Sequence, residues 1–302
     1  MPLIHIEKPG LFTTVQDLGR PGGGPLGISA SGAADPIALR LGNRLVGNPE
    51  GAAALEMTLL GGTFGFPDGA VIALAGSDFE TEIPLWNPIR IPPGATLRVG
   101  PTRSGARCYL AVRGGIAVEL FLGSASTHVL SGLGGHEGRA LRKGDVLRIG
   151  DSTVGPVRQG GPPPSALAPR KVLRVTNGPQ ADWFPEASRT IFYNSGYRVT
   201  EEANRMGLRL GGAALTVRSG GHMITEGVPL GAIQVPAGGQ PIILFVEQQT
   251  TGGYPKIANV IAADVASVGQ LRPRDEVRFE RVDLATARRL LQQQEDLIRE
   301  AY

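Results

Sequence analysis

Short apolar runs recur along this chain between glycine and proline turns, and that rhythm limits what it can fold into. LIHIEKPG, VIALAGSD, LRVGPTRSG, CYLAVRGG and VLRIGD each hold four to six strand-compatible residues before the next break. With 44 Gly and 24 Pro, few stretches are long enough for a helix. Many short strands at close spacing define a mainly β sandwich or barrel. Two segments escape the pattern. In Asp35–Gly47, DPIALRLGNRLVG, Asp35 is a natural N-cap, Pro36 fits the first helical position, and Ile37, Leu41 and Leu45 share a face. From Asp283 to Tyr302, an apolar stripe of Leu284, Ala287, Leu291, Ile298 and Ala301 predicts a second helix with Gln292–Gln294 and Glu295 facing out.

A chain of 302 residues suggests two domains of roughly 150 residues. The stretch GPVRQGGPPPSALAPR, with three consecutive prolines, reads as a semi-rigid spacer. The expected organisation is a first β unit over 1–155, a linker over 156–170, a second β unit over 171–282 and a C-terminal helix over 283–302. KGDVLRIG at Lys143 and PRDEVRFE at Pro273 hint at an internal duplication.

Charge and cysteine content exclude several classes. The net charge is +3 and the basic residues are dispersed, with no basic stripe for nucleic acid. No apolar run approaches the roughly 18 residues of a membrane span, and MPLIHIEKPG is not a signal peptide. A cytoplasmic protein is expected. The one cysteine, Cys108, sits in a strand-like run and reads as a small core residue in preference to a nucleophile.

Four polar clusters interrupt the β rhythm. In the first, Gln16, Asp17 and Arg20 precede a glycine-rich loop that either wraps a ligand with backbone N–H groups or is merely held by Asp17 and Arg20. It is no phosphate-binding P-loop, because the chain has no Gly-Lys dipeptide. In the second, His136 lies beside Glu137 and Arg139, a general-base candidate or ordinary turn chemistry. His5, His128 and His222 show no ligand spacing, so no metal site is expected on the chain. The third holds Asn204 and Arg205, whose guanidinium suits carboxylate or phosphate. The fourth runs from Thr225 to Ile261. There the buried-strand pattern Ile242–Val246 is followed by EQQTTGGYPK, with Glu226 and Gln234 upstream and Gln249, Thr250, Thr251, Gly252, Gly253, Tyr254 and Lys256 within or at its end. The Gly-Gly pair permits close approach of the backbone or positive φ, and a buried Lys can stabilise developing negative charge.

The segments GLFTTVQDLGR, SGAADPIALRLGNRLVGN, ALEMTLLGG, RGGI, GGHEGRAL, NRMGLRL, EGVPLGAIQVP and QTTGGYPKIA follow one another over nearly the whole chain. Together they closely resemble the KipA-like biotin-dependent carboxyltransferase family, also labelled allophanate hydrolase subunit 2 and including the C-type subunit of bacterial 5-oxoprolinase. The resemblance implies two tandem cyclophilin-like β-barrel units with few helices. It implies a subunit of an ATP-dependent enzyme that opens 5-oxoproline to glutamate, working with a KipI-like subunit and a third, LamB/YcsF-like subunit. ATP and Mg²⁺ would then act at the level of the complex, with Lys256 and Arg205 as cations and Glu226 or Glu247 near the metal. Two alternatives accompany it. One is a regulatory protein that binds a KipI-like kinase inhibitor. The other is carboxyl transfer, in which Lys256 and Asn204 polarise a urea-like carbonyl and carboxybiotin; this chain has no biotinylation site, so biotin would come from another polypeptide. Three positions depart from the family pattern: Glu247 for Asp, Ala203 for Ser and Thr225 for Ser.

Overall fold

The computed structural model describes residues 1–151, 154–218 and 223–302. The chain is mainly β, as expected, and divides into two compact units. The first comprises Met1–Arg20, Ser31–Leu167 and Leu297–Tyr302, and the second Pro21–Ala30 and Ala168–Asp296. The main division, at Leu167, falls within the proline-rich spacer; the grouping of Pro21–Ala30 with the second unit has no counterpart in the sequence pattern.

In the first unit the strands form two sheets. A six-stranded sheet runs Ile116–Ala117, Val146–Ile149, Leu3–Lys8, Thr63–Phe66, Ala95–Thr102 and Phe79–Thr81. A five-stranded sheet runs Phe12–Gln16, Ala54–Thr58, Arg107–Val112, Ala70–Gly76 and Pro88–Ile91. Both contribute to one apolar core containing Ile4, Ile6, Leu55, Met57, Phe64, Leu74 and Leu110. Cys108 belongs to that core, and burial pushes its thiol up to about 12, so it stays protonated and unreactive at neutral pH. The helix Pro36–Leu45 forms where its pattern predicts it, with Asp35 Oδ1 accepting from Ala38 N at 3.0 Å. It lies against the five-stranded sheet so closely that a Cβ on Gly42 would meet the Ala75 Cβ at 2.9 Å.

The second unit closes into a barrel. Its strands run Val172–Asn177, Lys256–Val260, Ala232–Gln234, Ile242–Leu244, Gly207–Gly211, Tyr197–Val199 and Glu276–Arg281. A parallel pairing of Glu276–Arg281 with Val172–Asn177 completes the ring. The run Ile242–Val246 is a strand only to Leu244. Phe245 and Glu247 then donate their amides to the Met206 and Arg205 carbonyls, at 2.9 and 2.8 Å, and so leave the regular ladder while staying buried. The helix Glu186–Asn194 packs on the barrel through Phe192, stacked on Phe279 with ring centroids 4.5 Å apart.

The hint of duplication has a local structural basis. Asp145 and Asp275 each accept a hydrogen bond from the backbone N–H three residues earlier, Arg142 at 2.7 Å and Arg272 at 2.8 Å. Each closes a turn that leads into a strand.

The C-terminal helix spans Leu284–Glu300, with Asp283 accepting from Thr286 N at 2.7 Å. The uniform apolar stripe expected of it does not hold. Leu284 is 76% exposed, whereas Ile298 is fully buried. Docking is concentrated at the far end, where Arg44 donates to the Ile298, Arg299 and Tyr302 carbonyls and satisfies the helix's orphan C-terminal acceptors. Among the described residues, no helix is long and apolar enough to cross a membrane.

Candidate functional site

The polar residues expected to form a site separate into structural networks and one cluster with spare chemistry. Gln16, Asp17, Arg20 and His136 belong to the first unit. Asp17 accepts from Gly19 N, Ser124 Oγ, Ala125 N and Ser126 Oγ, all within 2.8 Å. Arg20 donates to the carbonyls of Phe121 and Ser126 and stacks over the Phe121 ring. Gln16 Nε2 donates to Thr14 Oγ1 and the Thr127 carbonyl. These side chains clamp the segment from Phe121 to Thr127, with Gln16 Oε1 left buried without a hydrogen-bond partner among the described residues. His136 Nε2 lies 3.6 Å from Asp145 Oδ1, in a surface network where Arg139 grips both Asp145 and Glu137. The Arg139 hydrogen bonds hold the Asp145 carboxyl down at about 2. His222 lies outside the described residues. Among the described residues no group of three His, Cys, Asp or Glu side chains converges to hold a metal ion.

Asn204 and Arg205, expected as carbonyl polariser and cationic clamp, are engaged by the fold instead. Asn204 Oδ1 accepts from the amides of Met206 and Gly207, an Asx turn that starts the next strand. Arg205 is buried, and its Nε lies 2.5 Å from Oε1 of the equally buried Glu247. A guanidinium neutralised this way is a poor phosphate clamp, and a carboxylate spent on it is a poor metal ligand.

The remaining residues converge at one end of the barrel. Gln234 ends one barrel strand and Lys256 begins its neighbour, and the two are in register. A bulge at Ile257 shifts the pairing just there, which re-aims the Lys256 side chain. Lys256 is 1% exposed, and its Nζ lies 2.6 Å from Glu226 Oε1. Glu226 stands on a two-residue strand, Glu226–Gly227, paired with Thr251–Gly252 so that Glu226 opposes Gly252. Gly252 is needed for close approach rather than for positive φ, because a Cβ there would meet Gln234 Nε2 at 2.6 Å and Gln249 Nε2 at 3.0 Å. Gln249 Nε2 donates to Gln234 Oε1 at 3.3 Å. Thr251 and Tyr254 are exposed on the same loop, and Thr250 is half-buried with its carbonyl tied to the Val228 amide.

One member of this cluster has no signal in the sequence. Gln180, in the turn NGPQ after the first barrel strand, donates from Nε2 to Glu226 Oε1 at 3.0 Å and accepts from Lys256 N at 3.2 Å. The hydrogen bonds from Lys256 and Gln180 hold the Glu226 carboxyl below the usual range.

Donors exceed acceptors in this cluster. Apart from the Glu226 contact, Lys256 Nζ has no hydrogen-bond partner among the described residues, and neither has Gln234 Nε2, whose residue is also 1% exposed. Burying unsatisfied donors costs roughly 1–3 kcal/mol each.

Barrel and cluster together define a β protein with a buried lysine paired with a glutamate and a spare amide donor, Gln234 Nε2, beside it. The chain belongs to the carboxyltransferase domain family: the family model for "Carboxyltransferase domain, subdomain A and B" matches residues 26–281. It is 38% identical to the C-type subunit of 5-oxoprolinase from Escherichia coli (strain K12) over 298 residues, 97% of this chain and 96% of that protein. It is 35% identical to the corresponding 5-oxoprolinase subunit of Haemophilus influenzae, over 93% of this chain and 92% of that protein. The crystal structure of the Kluyveromyces lactis urea carboxylase superposes with a TM-score of 0.92 at 33% identity, covering 99% of this chain and 29% of that one.

Proposed function

We propose that this chain is a subunit of an ATP-dependent 5-oxoprolinase that converts 5-oxoproline and water to glutamate, and that it acts with a KipI-like and a third, LamB/YcsF-like subunit. The observation that carries the reading is the end-to-end similarity to two 5-oxoprolinase subunits, against 29% coverage of the urea carboxylase. The site suits the substrate class. A lactam with its carboxylate brings acceptor oxygens to a pocket rich in unmet donors.

In this reading Lys256 Nζ and Gln234 Nε2 receive the oxygen of the scissile amide. Charge that develops there meets a preorganised ammonium shielded from water. Glu226 keeps that ammonium in place through Oε1, while Oε2 remains open to accept a substrate N–H or a proton. ATP and Mg²⁺ would act at the level of the assembled complex: phosphorylation of the amide oxygen would activate the carbonyl carbon for attack by water, and the C–N bond would then break as the ring nitrogen takes up a proton. Glu226 Oε1 is tied to Lys256 and Glu247 Oε1 to Arg205, so neither residue offers a whole carboxylate to Mg²⁺, and the steps assigned to this chain are binding and orientation.

The test is reconstitution. This chain mixed with the two partner subunits, 5-oxoproline, ATP and Mg²⁺ is expected to release glutamate, and omission of the chain is expected to stop it. No glutamate from the complete set overturns the reading. A second reading, carboxyl transfer with a biotinylated partner, is favoured by the urea carboxylase superposition. It predicts carboxylation of a urea-like acceptor in the same mixture once a carboxybiotin donor is added.

Gly252→Ala separates the site from the fold. The added Cβ pushes on the far ends of two flexible glutamines rather than on backbone. The expected result is a melting temperature close to wild type and kcat/KM reduced by about tenfold or more, as expected for displaced binding groups. Wild-type kinetics for this variant would remove Gln234 and Gln249 from the site.

A further inference from the structure

We propose that Gln180 is a positioning residue of this site: it holds Glu226 Oε1 against Lys256 and leaves Oε2 as the carboxylate oxygen offered to the ligand. The inference deepens the functional reading above and rests on Glu226 and Lys256 being its reacting pair.

Glu226 is poorly restrained by its own element. Its strand is two residues long and its side chain is 41% exposed, so the carboxylate has room to turn toward water. Gln180 removes that freedom from a rigid base. It is 7% exposed and its side chain uses both ends, Nε2 on Glu226 Oε1 at 3.0 Å and Oε1 on the backbone N–H of Lys256 at 3.2 Å. One amide thus couples the carboxylate to the strand that carries its cationic partner. The turn is fastened there too: Gly178 N donates to the Ile257 carbonyl at 2.9 Å, and a Cβ on Gly178 would meet the Lys256 carbonyl oxygen at 2.2 Å. Position 178 therefore has to be glycine for Gln180 to reach.

Oε1 receives both the Lys256 ammonium and the Gln180 amide, and Oε2 has no partner among the described residues. Among the described residues, the charged group in contact with Glu226 is Lys256. Thr251 and Gly252 on the paired strand are uncharged, and Asp182 is the ionisable residue of Gln180's own turn. A hydrogen bond donated to the charged form lowers a carboxyl's pKa. Gln180 therefore helps keep Glu226 ionised as well as fixed.

Two variants separate positioning from mere support. Gln180→Met keeps the volume and removes both hydrogen bonds. Gln180→Glu keeps the acceptor for Lys256 N but sets a second carboxylate against Glu226. If the residue served only the backbone of Lys256, Gln180→Glu would be the milder change. If it positions Glu226, Gln180→Glu is the more severe. The titration of Glu226 is read by carbon-13 NMR in the full chain, with Glu226→Gln assigning the signal, and thermal melts confirm the fold. The expected order of Glu226 pKa is wild type lowest, Gln180→Met higher and Gln180→Glu highest. In the reconstituted enzyme, kcat falls about tenfold for Gln180→Met and further for Gln180→Glu, with KM changed less. An unmoved Glu226 titration in Gln180→Met, or a wild-type titration in Gln180→Glu, overturns the inference. The NMR arm needs no partner subunit, so its failure is distinct from failure of the 5-oxoproline reading.

Discussion

Lys256→Met is expected to abolish glutamate release by the assembled enzyme while leaving this chain folded. Methionine matches the lysine stem in length and volume, so the barrel end repacks with little strain. What disappears is the buried ammonium. Removal of one preorganised donor to a developing oxyanion typically costs about 10²- to 10³-fold in kcat, about 2.7–4 kcal/mol. A charged donor at 1% exposure belongs at the upper end of that range. Stability responds weakly because the abandoned partner is Glu226, whose carboxylate is 41% exposed and can turn to water. The melting temperature should therefore fall by only a few degrees, since the substitution leaves no charge buried and unpaired. Lys256→Arg should fail as well, because a planar guanidinium cannot replace a compact ammonium in a site built around it. The measurement is kcat/KM of the reconstituted complex beside a melt of the free chain. Turnover within about threefold of wild type would end the assignment of Lys256 to the chemistry.

Arg205→Ala is expected to have the opposite profile, with stability as its main casualty. Arg205 and Glu247 are 6% and 3% exposed, with Nε and Oε1 2.5 Å apart. Truncation of one member strands the other charge in the interior, which costs about 3–5 kcal/mol. That is a large part of the roughly 5–15 kcal/mol that holds a domain together. The urea midpoint should drop accordingly. The double substitution Arg205→Met with Glu247→Leu should recover most of the loss, because neither charge remains unpaired. Were Arg205 a phosphate clamp, Arg205→Ala would instead raise KM for ATP in the complex and leave the urea midpoint near wild type.

The two predictions rest on residues that look alike in sequence, since each is a basic residue near glycine in a polar cluster of a β protein. Asn204-Arg205-Met206-Gly207 reads as a clamp because guanidinium suits phosphate, yet its partner Glu247 lies 42 residues away, across a strand pair that no local pattern reveals. EQQTTGGYPK follows a buried-strand pattern and leads into the strand Lys256–Val260. Its residue types allow Gly252 either positive φ or close approach, and the side chains of Gln234 and Gln249 decide it for close approach.

What the sequence determined by itself is what depends on neighbours along the chain. Glycine and proline spacing defined a mainly β chain, Asp35-Pro36 started a helix, and a run of motifs pointed to the family. What only the tertiary structure decided is partnership. A strand's apolar pattern and its turns restrict its register but do not name its partner, which is settled only when the strands pair in the tertiary fold. Strand pairing in the barrel places Gln234 opposite Lys256, a separate two-stranded sheet places Gly252 opposite Glu226, and the turn after Val172–Asn177 brings Gln180 between the carboxylate and the lysine backbone. The tertiary fold also consumes Arg205 in an internal ion pair and leaves Lys256 with donors to spare, because one cation meets a buried carboxylate and the other a carboxylate half in water.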